Sequence, residues 1–149
     1  MVETGQKAPD FKLKDQNQNE ISLSSFHGKN VLLAFYPFDF SPVCTTEFTC
    51  FNNDLSELNR VDAKVLGISV DSHWSHKAFA DKLGLNFPLL SDFGKEVSRQ
   101  YGVLRQEGFS DRAYFLVDGD GIVKFKQVMP TPRERLENEA LIEEIEKLI

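Results

Sequence analysis

Two short segments near the start of the chain alternate between apolar and polar residues. They are Phe11–Leu13 and Glu20–Leu23, and the polar run Asp15–Asn19 between them is typical of a turn. The next segment, Val31–Tyr36, is apolar at almost every position, as expected for a central strand that is buried on both faces. The pattern therefore predicts an N-terminal β-hairpin followed by a central strand.

Apolar residues then recur at the three- and four-residue spacing of a helix, from about Cys44 to Asn59. The apolar positions of this helix are Phe48, Phe51, Leu55 and Leu58. A further apolar strand is predicted at Lys64–Val70. A strand, a long helix and a second strand make a βαβ unit, so we expect the two strands to be parallel.

The second half of the chain continues with a mixture of predicted helices and strands. In chain order they are a helix at Ser75–Leu83, a strand at Phe87–Leu90, a helix at about Lys95–Tyr101, strands at Arg112–Val117 and Ile122–Val128, and a final helix carrying Leu136, Ala140, Leu141, Ile145 and Leu148. The run Asp118–Gly121 between the last two strands is a strong hairpin signal. This order predicts an α/β fold, with a central mixed sheet flanked by helices on both faces.

Length and composition limit the possible classes of protein. The chain has 149 residues without repeats, linkers or low-complexity tracts, which predicts one domain over residues 1–149. Its net charge of -6 argues against a nucleic-acid partner, because no basic stripe is present to meet phosphates. No apolar run approaches the length of a membrane span, and the polar residues 2–6 do not resemble a signal peptide. We therefore expect a cytoplasmic protein with no membrane or nucleic-acid partner.

The candidate chemistry lies in the cysteines. Cys44 and Cys50 are too few for a disulfide framework, and in a reducing compartment a disulfide would be catalytic rather than structural. Cys44 follows a loop that begins where Pro37 ends the central strand, which places it in the first turn of the predicted helix. Unpaired backbone N–H groups and the positive end of the helix dipole stabilise a thiolate there. Redox chemistry at Cys44 is the leading hypothesis, and an inert buried thiol is the alternative.

A short signature around this cysteine carries a family resemblance. Pro37, Ser41 and Cys44 match a Pro-x-x-x-Thr/Ser-x-x-Cys pattern, and on these residues the chain resembles the peroxiredoxins of the AhpC/TSA superfamily. Further matching segments occur in the family's order, namely Ala8–Phe11, Val31–Pro37, Gly67–Asp71, Phe87–Asp92 and Asp111–Asp118. It looks closest to the alkyl hydroperoxide reductase E-like and one-Cys subgroup. The resemblance implies a thioredoxin-like fold with an added N-terminal hairpin, and a homodimer.

The resemblance also implies a role for each residue around Cys44. Ser41 would bind the peroxide through its hydroxyl, although the family most often has threonine there, and Pro37 would shield the sulfur from water. Arg112 would reach the cysteine and lower its pKa, and Glu47 would orient Arg112. The ordinary alternatives are a helix cap for Ser41, a solvated strand end for Arg112, and a favourable acidic residue near a helix start for Glu47. We expect a Cys44 pKa below the free-thiol value of about 8.5, because the helix N–H groups, the helix dipole and Arg112 favour the anion. Partial desolvation under Pro37 and the charge of Glu47 oppose it, but Arg112 can pair with both acids at once.

Two interpretations of Cys50 stay open. Six residues along a helix correspond to roughly 240° of rotation, so Cys44 and Cys50 cannot bond unless the first turns unwind. Some peroxiredoxins resolve their oxidised cysteine in this way with four intervening residues, whereas five are present here. Cys50 is therefore either a resolving cysteine or an inert, partly buried helix residue.

Metal-binding patterns are weak. His73 and His76 have the spacing of half a site, but no matching cysteine or carboxylate pattern accompanies them, and we expect both on a solvated helix start beside Trp74. Asp118–Gly121 lacks the later ligands of a calcium loop and is interpreted as a turn. We therefore predict no metal and no cofactor.

The function predicted from these residues is that of a thiol-dependent peroxidase. The Cys44 thiolate would reduce hydrogen peroxide or an organic hydroperoxide and become a sulfenic acid. The sulfenic acid would be recycled by an external thiol, either a thioredoxin-like protein or a low-molecular-weight thiol, or through a Cys44–Cys50 disulfide. Two alternatives use the same cysteine: a thioredoxin-like disulfide exchanger, disfavoured because no Cys-x-x-Cys pair is present, and a redox-gated binding or chaperone module.

Overall fold

The computed structural model describes residues 2–60, 63–131 and 133–148. Within them the strands are β1 (Lys12–Lys14), β2 (Glu20–Ser22), β3 (Asn30–Phe35), β4 (Ala63–Ser69), β5 (Leu89–Ser91), β6 (Ala113–Val117) and β7 (Val123–Val128). The α-helices are α1 (Pro42–Asn53), α2 (Leu55–Arg60), α3 (His73–Leu83), α4 (Glu96–Gln100) and α5 (Asn138–Glu146).

The strands of the described residues form one seven-stranded sheet in the order β2-β1-β5-β4-β3-β6-β7. β3 lies in its interior, parallel to β4 and antiparallel to β6. Both predicted hairpins are present, because β1 pairs with β2 and β6 pairs with β7 in antiparallel register. The sheet is therefore mixed, and the parallel β3–β4 pair confirms the predicted βαβ unit.

Successive residues of β3 pack into two hydrophobic cores, one on each face of the sheet. Leu32 and Ala34 belong to the core that also contains side chains of α1, α3 and α5. Val31, Leu33 and Phe35 belong to the opposite core, which α4 and the N-terminal hairpin help to cover. None of these five side chains is more than 1% exposed. The uninterrupted apolar run of the sequence thus corresponds to a strand buried on both faces, and the α/β prediction is confirmed.

The helix that carries the candidate cysteine differs from its predicted bounds. It begins two residues earlier, at Pro42, because the fixed φ of proline suits the first helical position. It ends at Asn53, and α2 begins at Leu55, so the single predicted helix is interrupted at Asp54. Asn and Asp are poor helix formers, and the Asn52 side chain bonds instead to the loop between α3 and β5.

Two other helices also have shifted ends. α3 begins at His73 rather than Ser75, because the Ser72 hydroxyl caps its N-terminus. Leu136 and Leu148, which the periodicity placed in the final helix, lie just outside α5. Within the described ranges, no helix combines the length and apolar character needed to cross a membrane.

Candidate active site

The loop between β3 and α1 delivers Cys44 to the first turn of the helix. Ser41 occupies the N-cap position with an extended backbone, and Pro42 is the first helical residue. The Cys44 side chain is 0% exposed, and Pro37 is buried as well. The Ser41 hydroxyl donates to the Phe38 carbonyl at 3.1 Å and makes no capping hydrogen bond, so the alternative role of a side-chain cap is not observed.

Arg112, immediately before β6, connects the cysteine to a buried acid. Its Nη2 donates to Cys44 Sγ at 2.9 Å, and its Nη1 donates to Glu47 Oε1 at 2.8 Å. Arg112 is 1% exposed and Glu47 is 0% exposed. Arg112 is therefore not a solvated strand end, and Glu47 is not merely an acidic residue near a helix start. Cys44 and Glu47 meet the same guanidinium because residues three apart share one face of a helix.

Tyr114 is a site residue that the sequence reasoning missed. Its hydroxyl donates to Glu47 Oε2 and accepts the backbone N–H of Leu136 at 3.2 Å. Glu47 therefore receives a donor on each carboxylate oxygen, which fixes its orientation toward Arg112. The available signal was the strand period of two, which puts Tyr114 on the same face as Arg112.

Burial dominates the electrostatics of this cluster. It raises the pKa of the Cys44 thiol, against the lowering effects of the Arg112 charge and, to a smaller extent, of the Ser41 hydroxyl. The expectation of a lowered pKa is therefore wrong in this structure, because the sulfur is fully rather than partly desolvated. Burial likewise raises the pKa of Glu47, with Arg112 and Tyr114 opposing the shift. Burial lowers the pKa of Arg112, but the charges of Glu47 and Cys44 outweigh it and raise that pKa, so the arginine stays charged.

An apolar depression of about 250 Å³ lies beside the cysteine. Three of the predicted site residues, Pro37, Ser41 and Arg112, line it. Phe38 and Phe109 form part of its wall, and their rings pack with centroids 5.1 Å apart. Cys44 itself does not line the depression, and Arg112 connects the two, because it lines the depression and bonds to the Cys44 sulfur. The remaining lining residues are Pro42, Val43 and Arg133.

Cys50 lies on the same unbroken helix as Cys44. Both cysteines are free thiols, and both belong to α1. Cys50 is partly buried, and Arg135 Nη2 approaches its sulfur at 3.8 Å. The intact helix keeps the two sulfurs on different sides, so a disulfide between them requires α1 to unwind. The two interpretations of Cys50 therefore both stay open.

The histidines do not lie as expected. His73 is partly buried at the start of α3, but His76 is 0% exposed, so the expectation of two solvated histidines is wrong for His76. The error has a structural cause, because His73 is the first residue of α3, whereas His76 lies in the part of α3 that is buried with Phe79 and Ala80. Asp118–Gly121 is a turn, as predicted, since the Gly121 N–H donates to the Asp118 carbonyl at 3.0 Å.

This arrangement of a buried cysteine, its arginine and a mixed sheet between helices defines a class, the thiol-based oxidoreductases with a thioredoxin-like fold. Comparison with known proteins is more specific. The AhpC/TSA family model matches residues 4–126, and the chain belongs to that family. It is therefore an enzyme of the peroxiredoxin type.

Individual relatives agree with this assignment. The chain is 41% identical to alkyl hydroperoxide reductase E of Mycobacterium bovis, over 86% of each protein. It is 40% identical to peroxiredoxin-2 of Pongo abelii, over 92% of this chain and 84% of the relative. Its structure superposes on Mycobacterium tuberculosis AhpC with a TM-score of 0.92, at 26% identity, covering 99% of this chain and 93% of the other. Because relatives of different kinds are about equally similar, the alkyl hydroperoxide reductase E-like subgroup stays a prediction.

Proposed function

We propose that this protein is a peroxidase whose nucleophile is Cys44. The Cys44 sulfur attacks one oxygen of a hydroperoxide, the O–O bond breaks, and the second oxygen leaves as water or an alcohol. The thiol is oxidised to a sulfenic acid while the peroxide is reduced, and the thiol proton goes to the leaving oxygen. The observation that carries the proposal is the 2.9 Å hydrogen bond from the buried Arg112 to the Cys44 sulfur.

Each neighbour of Cys44 has a part in this step. Arg112 stabilises the thiolate and presents a second nitrogen that Glu47 holds in place. Pro37 and Ser41 line the depression beside the sulfur, where the Ser41 hydroxyl can donate to and accept from a peroxide. Charged and polar groups fixed in a dry site act strongly on the charge that moves from sulfur to the departing oxygen.

The sulfenic acid must then be reduced by a thiol. A first thiol displaces water and forms a mixed disulfide with Cys44, and a second thiol releases the reduced enzyme. A relative from Drosophila melanogaster, 39% identical, is named a thioredoxin-dependent peroxide reductase, which supports a thioredoxin-like reductant here. A low-molecular-weight thiol is the alternative. The homodimer and the cytoplasmic location both stay predictions.

The test of this function is the intact mass of the protein after one equivalent of hydrogen peroxide, with remaining thiols alkylated. We expect the addition of one oxygen at Cys44 and one alkylated thiol at Cys50, because the intact α1 keeps the sulfurs apart. Loss of two hydrogens with no alkylated thiol would instead establish a Cys44–Cys50 disulfide and a resolving role for Cys50. A protein that keeps two free thiols after peroxide would contradict the peroxidase assignment. Catalytic peroxide consumption with a thiol reductant separates this function from a disulfide exchanger and from a redox-gated binding module.

The apolar depression favours organic hydroperoxides with a bulky apolar group. We expect Phe109→Ser to lower kcat/KM for cumene hydroperoxide about tenfold, because an aromatic surface that the substrate would cover is removed. Hydrogen peroxide has no apolar group, so its kcat/KM should change less than about twofold. Phe93→Ser is the matched control, since Phe93 is 70% exposed and does not line the depression. Equal losses with both peroxides would contradict the assigned substrate-binding surface.

A further inference from the structure

A second buried network holds the loop that carries Pro37 and Ser41. Its centre is the carboxylate of Asp39, whose side chain is 0% exposed. Asp39 Oδ1 accepts a hydrogen bond from the Tyr36 hydroxyl at 2.7 Å, and Oδ2 accepts one from the Ser75 hydroxyl at 2.8 Å. Tyr36 directly follows β3 and Ser75 lies in α3, so the loop is anchored beside two neighbouring elements.

His76 completes the network from α3, and both of its ring nitrogens have a hydrogen-bond partner. Its Nδ1 lies 2.8 Å from Asp39 Oδ2, and its Nε2 lies 3.0 Å from the carbonyl oxygen of Leu90. A backbone carbonyl only accepts, so Nε2 carries a hydrogen. Its Nδ1 bonds to the same Asp39 oxygen that accepts the Ser75 hydroxyl. His76 therefore ties Asp39 to the backbone of β5 through a side chain that is 0% exposed.

The backbone of the loop is fixed by the same region. The Asp39 N–H donates to Asp71 Oδ2 at 2.8 Å, and that oxygen also accepts the Ser69 hydroxyl at 2.6 Å. The next residue, Phe40, has a φ of 68°, in the left-handed region that a bulky side chain seldom adopts. A loop in this conformation needs anchors on both sides of Phe40. Asp39 supplies one of them, and the Ser41 hydroxyl supplies the other.

We propose that His76 is a positioning residue for the reaction at Cys44, acting through Asp39 on the loop of residues 37–41. The inference rests on the proposed peroxidase function. The network holds Asp39 in place, and Asp39 sets the positions of Pro37 and Ser41 on the wall of the depression. The hydrogen bonds of the network join Asp39 to Tyr36, Ser75 and His76, whereas Arg112 bonds to Cys44 and Glu47 of α1. Losing His76 should therefore disturb peroxide alignment much more than the nucleophilicity of the sulfur, because the Arg112 charge affects the Cys44 pKa more than the Ser41 hydroxyl does.

The first experiment compares two reactions of Cys44 in His76→Phe. One is oxidation by hydrogen peroxide, followed in rapid-mixing measurements, and the other is alkylation by iodoacetamide across a range of pH. We expect oxidation to slow by about a hundredfold, since a displacement of about 1 Å has that effect on a positioned reaction. Alkylation needs no aligned peroxide, so its rate should stay within about twofold of the wild-type rate. The pH at which alkylation is half-maximal should stay close to the wild-type value. His73→Phe makes the same substitution one turn earlier on α3 and should leave both reactions unchanged.

Conservative changes separate alignment from loss of folding. Tyr36→Phe removes one hydroxyl from Asp39 and keeps the ring, and we expect oxidation to slow about fivefold with alkylation unchanged. Asp39→Ala should slow oxidation as much as His76→Phe does. Asp39→Asn should recover most of that loss, because the amide accepts from Tyr36 and donates to Nδ1 of a neutral His76.

Three outcomes would overturn the proposal. One is His76→Phe oxidising at the wild-type rate, and another is an equal loss in oxidation and alkylation, which would mean that the thiolate itself had changed. The third outcome concerns Tyr36→Phe, which decides the question if His76→Phe does not fold. Oxidation of Tyr36→Phe at the wild-type rate would then overturn the proposal. Amide hydrogen exchange of residues 38–41 provides a readout without peroxide, since His76→Phe should lose protection of the Asp39 N–H. If wild type fails to react with peroxide while this protection is lost as expected, only the proposed function fails.

Discussion

Replacing Cys44 with serine is expected to abolish peroxide reduction, lowering the rate of peroxide consumption by at least about a thousandfold. A serine hydroxyl does not ionise near neutral pH, even beside the Arg112 guanidinium, so it cannot attack the O–O bond. The side chain is nearly isosteric and fully buried, so the fold should survive. The measurement is hydrogen peroxide consumption with dithiothreitol as the reductant, with circular dichroism to verify folding.

Cys50→Ser is the matched control for this prediction. The initial oxidation of Cys44 should stay within about twofold of the wild-type rate, because Cys50 bonds to Arg135 and not to the Cys44–Arg112 pair. A folded Cys50→Ser protein that had lost the first oxidation step would show that the nucleophile was wrongly assigned. Steady-state turnover of the same variant with different thiols then reports whether Cys50 takes part in recycling.

Much of the fold could be predicted from hydrophobic patterns because they record burial directly. The run at Val31–Tyr36 is apolar at almost every position, and β3 packs into a core on each face of the sheet. The hairpin around Asp118–Gly121 was equally predictable from its turn residues. The ends of helices were less predictable from the hydrophobic pattern. α1 begins at Pro42 and stops before Asp54 because of its first residues and of side-chain hydrogen bonds near its end.

The site was harder to predict from the residues alone, because its contacts are distant in sequence. Arg112 and Glu47 are 65 positions apart, and no local pattern brings them together. The family resemblance named both, and in the structure Arg112 bonds to Glu47 and to Cys44, although their catalytic roles stay predictions. Tyr114 was missed because an apolar strand normally uses tyrosine as core filling. His76 was misplaced because three-residue spacing suggested a surface pair when one member faces the sheet.

The sign of the Cys44 pKa shift depends on packing that the sequence does not specify. Helix position and a nearby arginine both argued for a lowered pKa, and both features are present. What decides the outcome is that the Cys44 side chain is fully buried, so desolvation raises its pKa.

Arg112→Leu is expected to slow peroxide attack by about a hundredfold to ten-thousandfold at neutral pH. The change removes the charge and the hydrogen bond that oppose burial, so the pKa of Cys44 should rise above its wild-type value. A higher pKa means less thiolate at a given pH. The pH at which the second-order rate of peroxide attack reaches half of its maximum should therefore be higher in the variant. Thiolate absorbance and the second-order rate, both measured across pH, test the two effects. Arg112→Lys should recover part of the rate, because it restores the charge without the planar fork that reaches Cys44 and Glu47 together.

The stability of the same variant gives an independent control. Leucine at position 112 leaves the Glu47 carboxylate buried without its ion-pair partner, and breaking such a pair destabilises a protein by about 3 kcal/mol. Adding Glu47→Gln removes the unpaired charge, and its amide still accepts from the Tyr114 hydroxyl, so the double variant should recover much of the free energy of unfolding. The slow peroxide reaction should persist in the double variant, because no donor has been returned to the Cys44 sulfur. Recovery of the rate together with the stability would mean that Arg112 acts only by neutralising Glu47, and an unchanged Cys44 pKa in Arg112→Leu would remove Arg112 from the reaction.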